Sequence, residues 1–252
     1  MTSPTARATP RHRVPGGSGI LQRSPSGARA IAVAVAAAVL ITVFGLVVRA
    51  HSFDLGGVID LNRSRTGLVG ALATGVYHVF SPVPAVLITV VLTGVIWART
   101  RDLRVAAAFA GVVAATWLPS AVIKLLVHRP RPGSALLSHP YTPALTDASY
   151  PSGHTVFVAT LAIALVLVLR GTRWRAIATT IGAVAVVVVA VALVADGVHF
   201  PTDVVASIVW ALAVAPAVRY VWVDVVMPRL PLLGADARPR VSVRSSRATD
   251  VV

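Results

Sequence analysis

Residues 30–48 read AIAVAVAAAVLITVFGLVV, nineteen positions without a charge. At 1.5 Å per residue a helix of this length spans about 28 Å, close to the thickness of a bilayer's hydrocarbon core. A cleaved leader is the competing reading. The run is of full spanning length, and Arg49-Ala50-His51 offers no small-x-small processing site, so it reads as a retained span. Working outward, comparable apolar runs cover 83–97, 105–123, 153–169, 176–195 and 204–223. The stretch 67–80 is mixed in character and reads as an interfacial or half-buried helix, set off by Ser81-Pro82 and Pro84. The expectation is an all-α polytopic membrane protein, a bundle of six transmembrane helices over 30–223. Pro/Arg/Ser-rich flexible tails are expected at 1–29 and 224–252.

Composition agrees. Hydrophobic residues make up 56% of the 252 positions and charged residues only 13%, against about 25% in soluble domains. The formal net charge of +14 does not mark a nucleic-acid binder, because no basic face with interleaved aromatics accompanies it. Instead 17 of the 23 cations fall in the two tails and in the loops near 99–104 and 170–175. The positive-inside rule then places both termini in the cytoplasm and the loops 50–66, 124–152 and 196–203 outside. Cysteine is absent, which excludes disulfides and thiolate metal sites. No feature of the sequence specifies an oligomeric state.

Three polar clusters lie on the outer side, each at the mouth of a span. The first runs from Lys124 to Arg131-Pro132. Pro130 and Pro132 prevent a helix from continuing through Arg131 and can turn it back toward Lys124. Arginine grips phosphate oxygens bidentately and lysine acts as a point charge, although two cations snorkelling to headgroups would look the same. The second is Pro151-Ser152-Gly153-His154, where a helix N-cap and free amides form an anion cradle or simply a capped helix. The third pairs His199 with Asp203 at i, i+4. There a carboxylate can fix the imidazole tautomer and leave the other ring nitrogen as nucleophile or base. A His/Asp metal site is the weaker alternative, since no third ligand stands at standard spacing.

Together the clusters resemble the type-2 phosphatidic acid phosphatase family of membrane lipid phosphatases, relatives of bacterial acid phosphatases and vanadium haloperoxidases. Its motifs are Lys-x6-Arg-Pro, Pro-Ser-Gly-His and Ser-Arg-x5-His-x3-Asp. Lys124, Arg131 and Pro132 match the first motif, 151–154 match the second, and His199 and Asp203 match the end of the third. The resemblance implies a metal-independent, cofactor-free hydrolase with an extracytoplasmic active site. In it His199 would be the nucleophile, Asp203 its orienting carboxylate and His154 the acid and base. Lys124, Arg131, Ser152 and Gly153 would hold phosphate. The implied substrate is a membrane lipid phosphate of isoprenoid or phosphatidate type, met at the bilayer surface. One departure stands out: Ala192 and Leu193 occupy the Ser-Arg positions, and Asp196 replaces a usually apolar residue. Arg129, Arg63 and Arg65 are the cations available to stand in. The same departure favours the alternative of a non-catalytic lipid-phosphate binder or scaffold.

Overall fold

The computed structural model describes residues 19–233. Among these, nine α-helices follow one another: α1 (Gly27–Ala50), α2 (Leu55–Arg63), α3 (Gly67–Val79), α4 (Pro82–Thr100), α5 (Leu103–Trp117), α6 (Ser120–Val127), α7 (Gly153–Val168), α8 (Arg175–Ala195) and α9 (Pro201–Arg219). The all-α expectation holds, and the described residues contain no strand. Local chemistry sets the boundaries. Prolines sit in the first turns of α4 and α9, where a missing N–H costs nothing. The Asp102 side chain accepts from the Arg104 amide to start α5. α6 stops at His128, which adopts a left-handed conformation (φ 47°) two residues before Pro130.

Five segments are long and apolar enough to cross a bilayer: Gly27–Ala50, Pro82–Thr100, Leu103–Val127, Arg175–Ala195 and Pro201–Arg229. The run expected as a further span at 153–169 forms α7, which is apolar but only 16 residues long. α7 packs against α5, α8 and α9. A helix jacketed by its neighbours need not match the bilayer thickness itself. The span expected at 105–123 is divided at Leu118-Pro119 into α5 and α6, and the mixed stretch becomes α3. Outward-facing aliphatics such as Leu40, Val90 and Ile181, each more than 60% exposed, form the belt that lipid would cover.

Two contacts fix the frame around the site. α1 lies against α9 and α6. A Cβ on Gly45 would fall 2.6 Å from the Tyr150 ring, so only glycine allows that approach. The Tyr150 hydroxyl then donates to the Ile41 carbonyl at 2.7 Å, tying the second motif to α1. At the other end the expected tail boundaries shift. Residues 19–21 form a buried turn, with Ile20 fully covered. Arg219 donates to the Ile20 and Gln22 carbonyls and pairs with Asp224 at 2.7 Å, while Asp224 also accepts from the Ser24 amide. The rest of the two expected tails, 1–18 and 234–252, lies outside the described residues. Trp222 is part of the bundle, donating to the Ala107 carbonyl, whereas Trp97 is half exposed near the end of α4.

Candidate active site

The three motifs meet at one end of the bundle. Arg131 leaves the end of α6 through the Pro130–Pro132 turn. It donates to the Val198 carbonyl at 2.5 Å, with Nη1 3.5 Å from His199 Nε2. A backbone anchor therefore holds the first-motif guanidinium beside the third-motif imidazole. Lys124, on the last turn of α6, reaches the same place. Lys124, Arg131, Gly153 and His154 line one cavity of about 340 Å³, whose other walls include Tyr77, Phe80, Trp117 and Leu118. Polar groups thus converge where an apolar wall begins.

His199 is almost fully buried, and its Nδ1 lies 3.4 Å from Asp203 Oδ2. At that separation His199 Nδ1 is buried without a hydrogen-bond partner, and Asp203 Oδ2 is the acceptor within reach of it. Asp203 is fixed independently. Its Oδ2 accepts the Phe200 amide at 2.9 Å and its Oδ1 accepts Arg129 Nη1 at 2.7 Å. Burial pushes the His199 pKa down to about 4; the Asp203 carboxylate opposes the shift and Arg131 adds to it. Burial therefore favours the neutral ring near pH 7, with Nε2 on the side of Arg131.

Arg129 had stood as a candidate phosphate ligand, and the structure uses it otherwise. It is fully buried, lies 3.7 Å over the Phe200 ring, and donates to Thr202 Oγ1, Asp203 Oδ1 and Asp54 Oδ1, each at 2.7 Å. Asp54 closes the network by accepting from the Thr202 amide and hydroxyl. The other two candidates are likewise engaged. Arg65 pairs with Asp196 at 2.6 Å and donates to Thr74 and the His139 carbonyl, while Arg63 pairs with Asp60 on the surface. Burial raises the Asp196 pKa, and Arg65 offsets this only in part. Leu193 is fully buried among apolar neighbours. The cradle is thus left with Lys124 and Arg131 as its cations.

The second motif splits in two. Gly153 and His154 face the cavity, and the Gly153 carbonyl accepts from Trp117 Nε1 at 3.1 Å. Ser152, expected to hold phosphate, is instead fully buried, its hydroxyl accepting from the Thr155 amide and side chain as the α7 cap. His154 stacks on Tyr77 at 4.6 Å between ring centroids. Its Nε2 is buried without a hydrogen-bond partner, in surroundings that Arg131 and Lys124 make electropositive. Among the described residues, no group of three or more His, Asp or Glu side chains converges as metal ligands.

Sequence reasoning missed Asp54, Thr202, Asp147 and Tyr77. Asp147 bridges Lys124 Nζ at 3.0 Å and Arg131 Nη2 at 2.8 Å. Partial burial disfavours its charge, but the Lys124 hydrogen bond and the Arg131 charge outweigh burial and hold its pKa below the usual range. A signal existed. The chain has only nine acids, and Asp54, Asp147, Asp196 and Asp203 all fall in or beside the three outer loops. In so apolar a chain each needs a cationic partner.

Comparison with known proteins follows the same lines. The profile of the PAP2 superfamily matches residues 103–226, which hold all three motifs. An undecaprenyl-diphosphatase of Sulfolobus acidocaldarius is 32% identical over 163 residues, covering 63% of this chain and 71% of that protein. The crystal structure of a transmembrane PAP2-type phosphatidylglycerolphosphate phosphatase from Bacillus subtilis superimposes with a TM-score of 0.56 at 18% identity. That match covers 74% of this chain and 94% of the other, and shows a shared fold.

Proposed function

Because the chain belongs to the PAP2 superfamily, whose profile and diphosphatase relative it matches, we propose that it is a membrane lipid phosphatase working through a phosphohistidine. The observation that carries this reading is the 3.5 Å approach of Arg131 Nη1 to His199 Nε2, at the edge of a cavity that also presents Lys124 and His154. A phosphoryl group seated on Arg131 stands within reach of a neutral imidazole whose Nδ1 faces the Asp203 carboxylate.

In the first step His199 Nε2 forms a bond to phosphorus as the bond to the leaving oxygen breaks. His154 delivers a proton to that oxygen. In the second step His154 takes a proton from water, whose oxygen adds to phosphorus while the P–N bond breaks, releasing inorganic phosphate and free His199. Lys124, Arg131 and the Gly153 amide hold the non-bridging oxygens, where fixed donors act most strongly on developing charge. The phosphorylated ring is cationic. Asp54 and Asp203 together outnumber Arg129 by one charge, so the network behind His199 favours that state. Arriving phosphate also gives His154 the counter-charge it needs to carry a proton beside the cations Arg131 and Lys124. No step passes through a metal or other cofactor.

The phosphate lies in the polar part of the cavity and the lipid tail along Tyr77, Phe80, Trp117 and Leu118. The relatives' names point to two substrate classes, isoprenoid diphosphates and glycerophospholipid phosphomonoesters. The distribution of basic residues among the loops supports an active site on the outer side of the membrane, with both termini in the cytoplasm. Phosphate release by detergent-solubilised protein from a panel of both lipid classes tests the reading, with His199→Ala as control. Leu193, where the family carries arginine, favours a second reading, a lipid-phosphate binder without turnover. Orthovanadate binding without hydrolysis of any phospholipid or isoprenoid phosphate would select it.

A further inference from the structure

Both oxygens of one carboxylate sit on the two cations that the phosphatase reading assigns to phosphate. Asp147 Oδ2 accepts from Lys124 Nζ at 3.0 Å, and Oδ1 accepts from Arg131 Nη2 at 2.8 Å and Nε at 3.1 Å. Arg131 Nη2 and Nε share Oδ1 while Lys124 holds Oδ2, so the carboxylate occupies the donors that phosphoryl oxygens would use. The cations are the fixed partners. The Arg131 side chain is only 9% exposed and is anchored on the Val198 carbonyl, whereas the Asp147 side chain is 57% exposed. The other acids at this end are differently held. Asp203 and Asp54 also accept backbone amides, and Asp196 is fully buried. Among the described residues, the Asp147 carboxylate accepts hydrogen bonds from Lys124 and Arg131 alone. Arg131 and Asp147 also line two cavities at once. One is the apolar-walled cavity with His154; the other, of about 640 Å³, lies among the loop residues, with Ala144, Leu145 and Ala148 on its wall. Their ion pair is the partition between the two, and a carboxylate released from the cations has the second cavity to turn into.

We propose that Asp147 is a specificity-determining residue, an internal competitor that reserves the Lys124–Arg131 pair for dianionic phosphate. The inference rests on the lipid-phosphatase reading. A terminal phosphomonoester or diphosphate brings two charges and three free oxygens, so replacing Asp147 strengthens the pairing of both cations. A phosphodiester brings one charge, exchanges it for the one already there, and gains nothing. The surrounding bilayer presents phosphodiester headgroups in great excess, so a cradle without this competitor would be occupied by non-substrate lipid. Displacing three charge-assisted hydrogen bonds from a half-exposed carboxylate, each screened by solvent, weakens phosphate binding by about tenfold.

The test measures binding to the detergent-solubilised full chain and to its Asp147→Asn, Asp147→Ala and Asp147→Glu variants. The probes are orthovanadate for the dianion and diethyl phosphate for the monoanionic diester. Asp147→Asn and Asp147→Ala should bind orthovanadate about tenfold more tightly. They should bind diethyl phosphate about tenfold more tightly as well, so that the diester's weak affinity becomes measurable, and lower KM more than kcat, while Asp147→Glu stays near wild type. Unchanged or weaker orthovanadate binding in both neutral variants, at wild-type melting temperature, overturns the proposal, because a residue that merely positioned the cations would show that sign. If the wild type hydrolyses lipid phosphate and the variants bind no tighter, this inference alone fails. If the wild type hydrolyses no lipid phosphate and no form binds orthovanadate, the phosphatase reading fails and takes this one with it.

Discussion

Replacing Arg129 by methionine keeps most of the side chain's volume and removes its charge. Three hydrogen bonds of 2.7 Å, to Thr202, Asp203 and Asp54, are lost at once. Both carboxylates stay where they are, Asp203 fully buried and Asp54 8% exposed, so two charges remain in a poorly solvated site without their cation. Breaking a buried ion pair from one side costs about 3–5 kcal/mol. At about 2–4 °C per kcal/mol for a chain of this size, the melting temperature in detergent should fall by roughly 6–20 °C. Turnover should fall further than stability requires, because Asp203 then loses the partner that holds Oδ1 while Oδ2 faces His199. Arg129→Lys retains the charge but not the fork, and should lie between. Adding Asp54→Asn to Arg129→Met removes one orphaned charge and should recover part of the loss, a coupling read from the double-mutant cycle. Intrinsic fluorescence melts together with phosphate release make the measurement. An Arg129→Met protein melting within about 2 °C of wild type, or strict additivity with Asp54→Asn, would refute a clamp built on opposed charges.

Other outcomes follow from the same geometry. His199→Ala and His154→Ala should each lower phosphate release by about a hundredfold or more; unchanged turnover in either removes that ring from the chemistry. Because attack needs a neutral ring and burial sets the free-site His199 pKa to about 4, kcat/KM should have its acid limb near pH 4, falling as pH drops. The linked stability has the same direction. Between the unfolded value near 6.5 and about 4 the native ring binds fewer protons, so the protein weakens as pH falls through that window; a limb centred near pH 6.5 would contradict a buried nucleophile. Gly45→Val should lose melting temperature and activity together, by about 1–3 kcal/mol or more, because its Cβ would meet the Tyr150 ring at 2.6 Å and Val127 at 2.7 Å. A Gly45→Val enzyme with wild-type melting and turnover would show that α1 does not brace the second motif.

Apolar runs, proline breaks and motif spacing were enough to read an all-helical membrane bundle from the chain, because these are local properties. A nineteen-residue run without charge at 30–48 has few places to go other than a bilayer. His199 and Asp203 are four residues apart, so one local turn already brings them within reach of each other. Tertiary structure decided which carboxylate each arginine holds. Arg129 and Arg131 are two residues apart in one proline-rich turn, yet the first points inward to Asp203, 74 positions away, and the second to Asp147 and the Val198 carbonyl. Asp54 reaches Thr202 across 148 positions. The tertiary fold likewise packed the short α7 against α5, α8 and α9, and turned the Ser152 hydroxyl into its own helix rather than the cavity. Hydrophobic patterning tells a segment which solvent it prefers. The choice of partner for a buried charge depends on distances of about 3 Å between distant parts of the chain, and those exist only once the helices have packed.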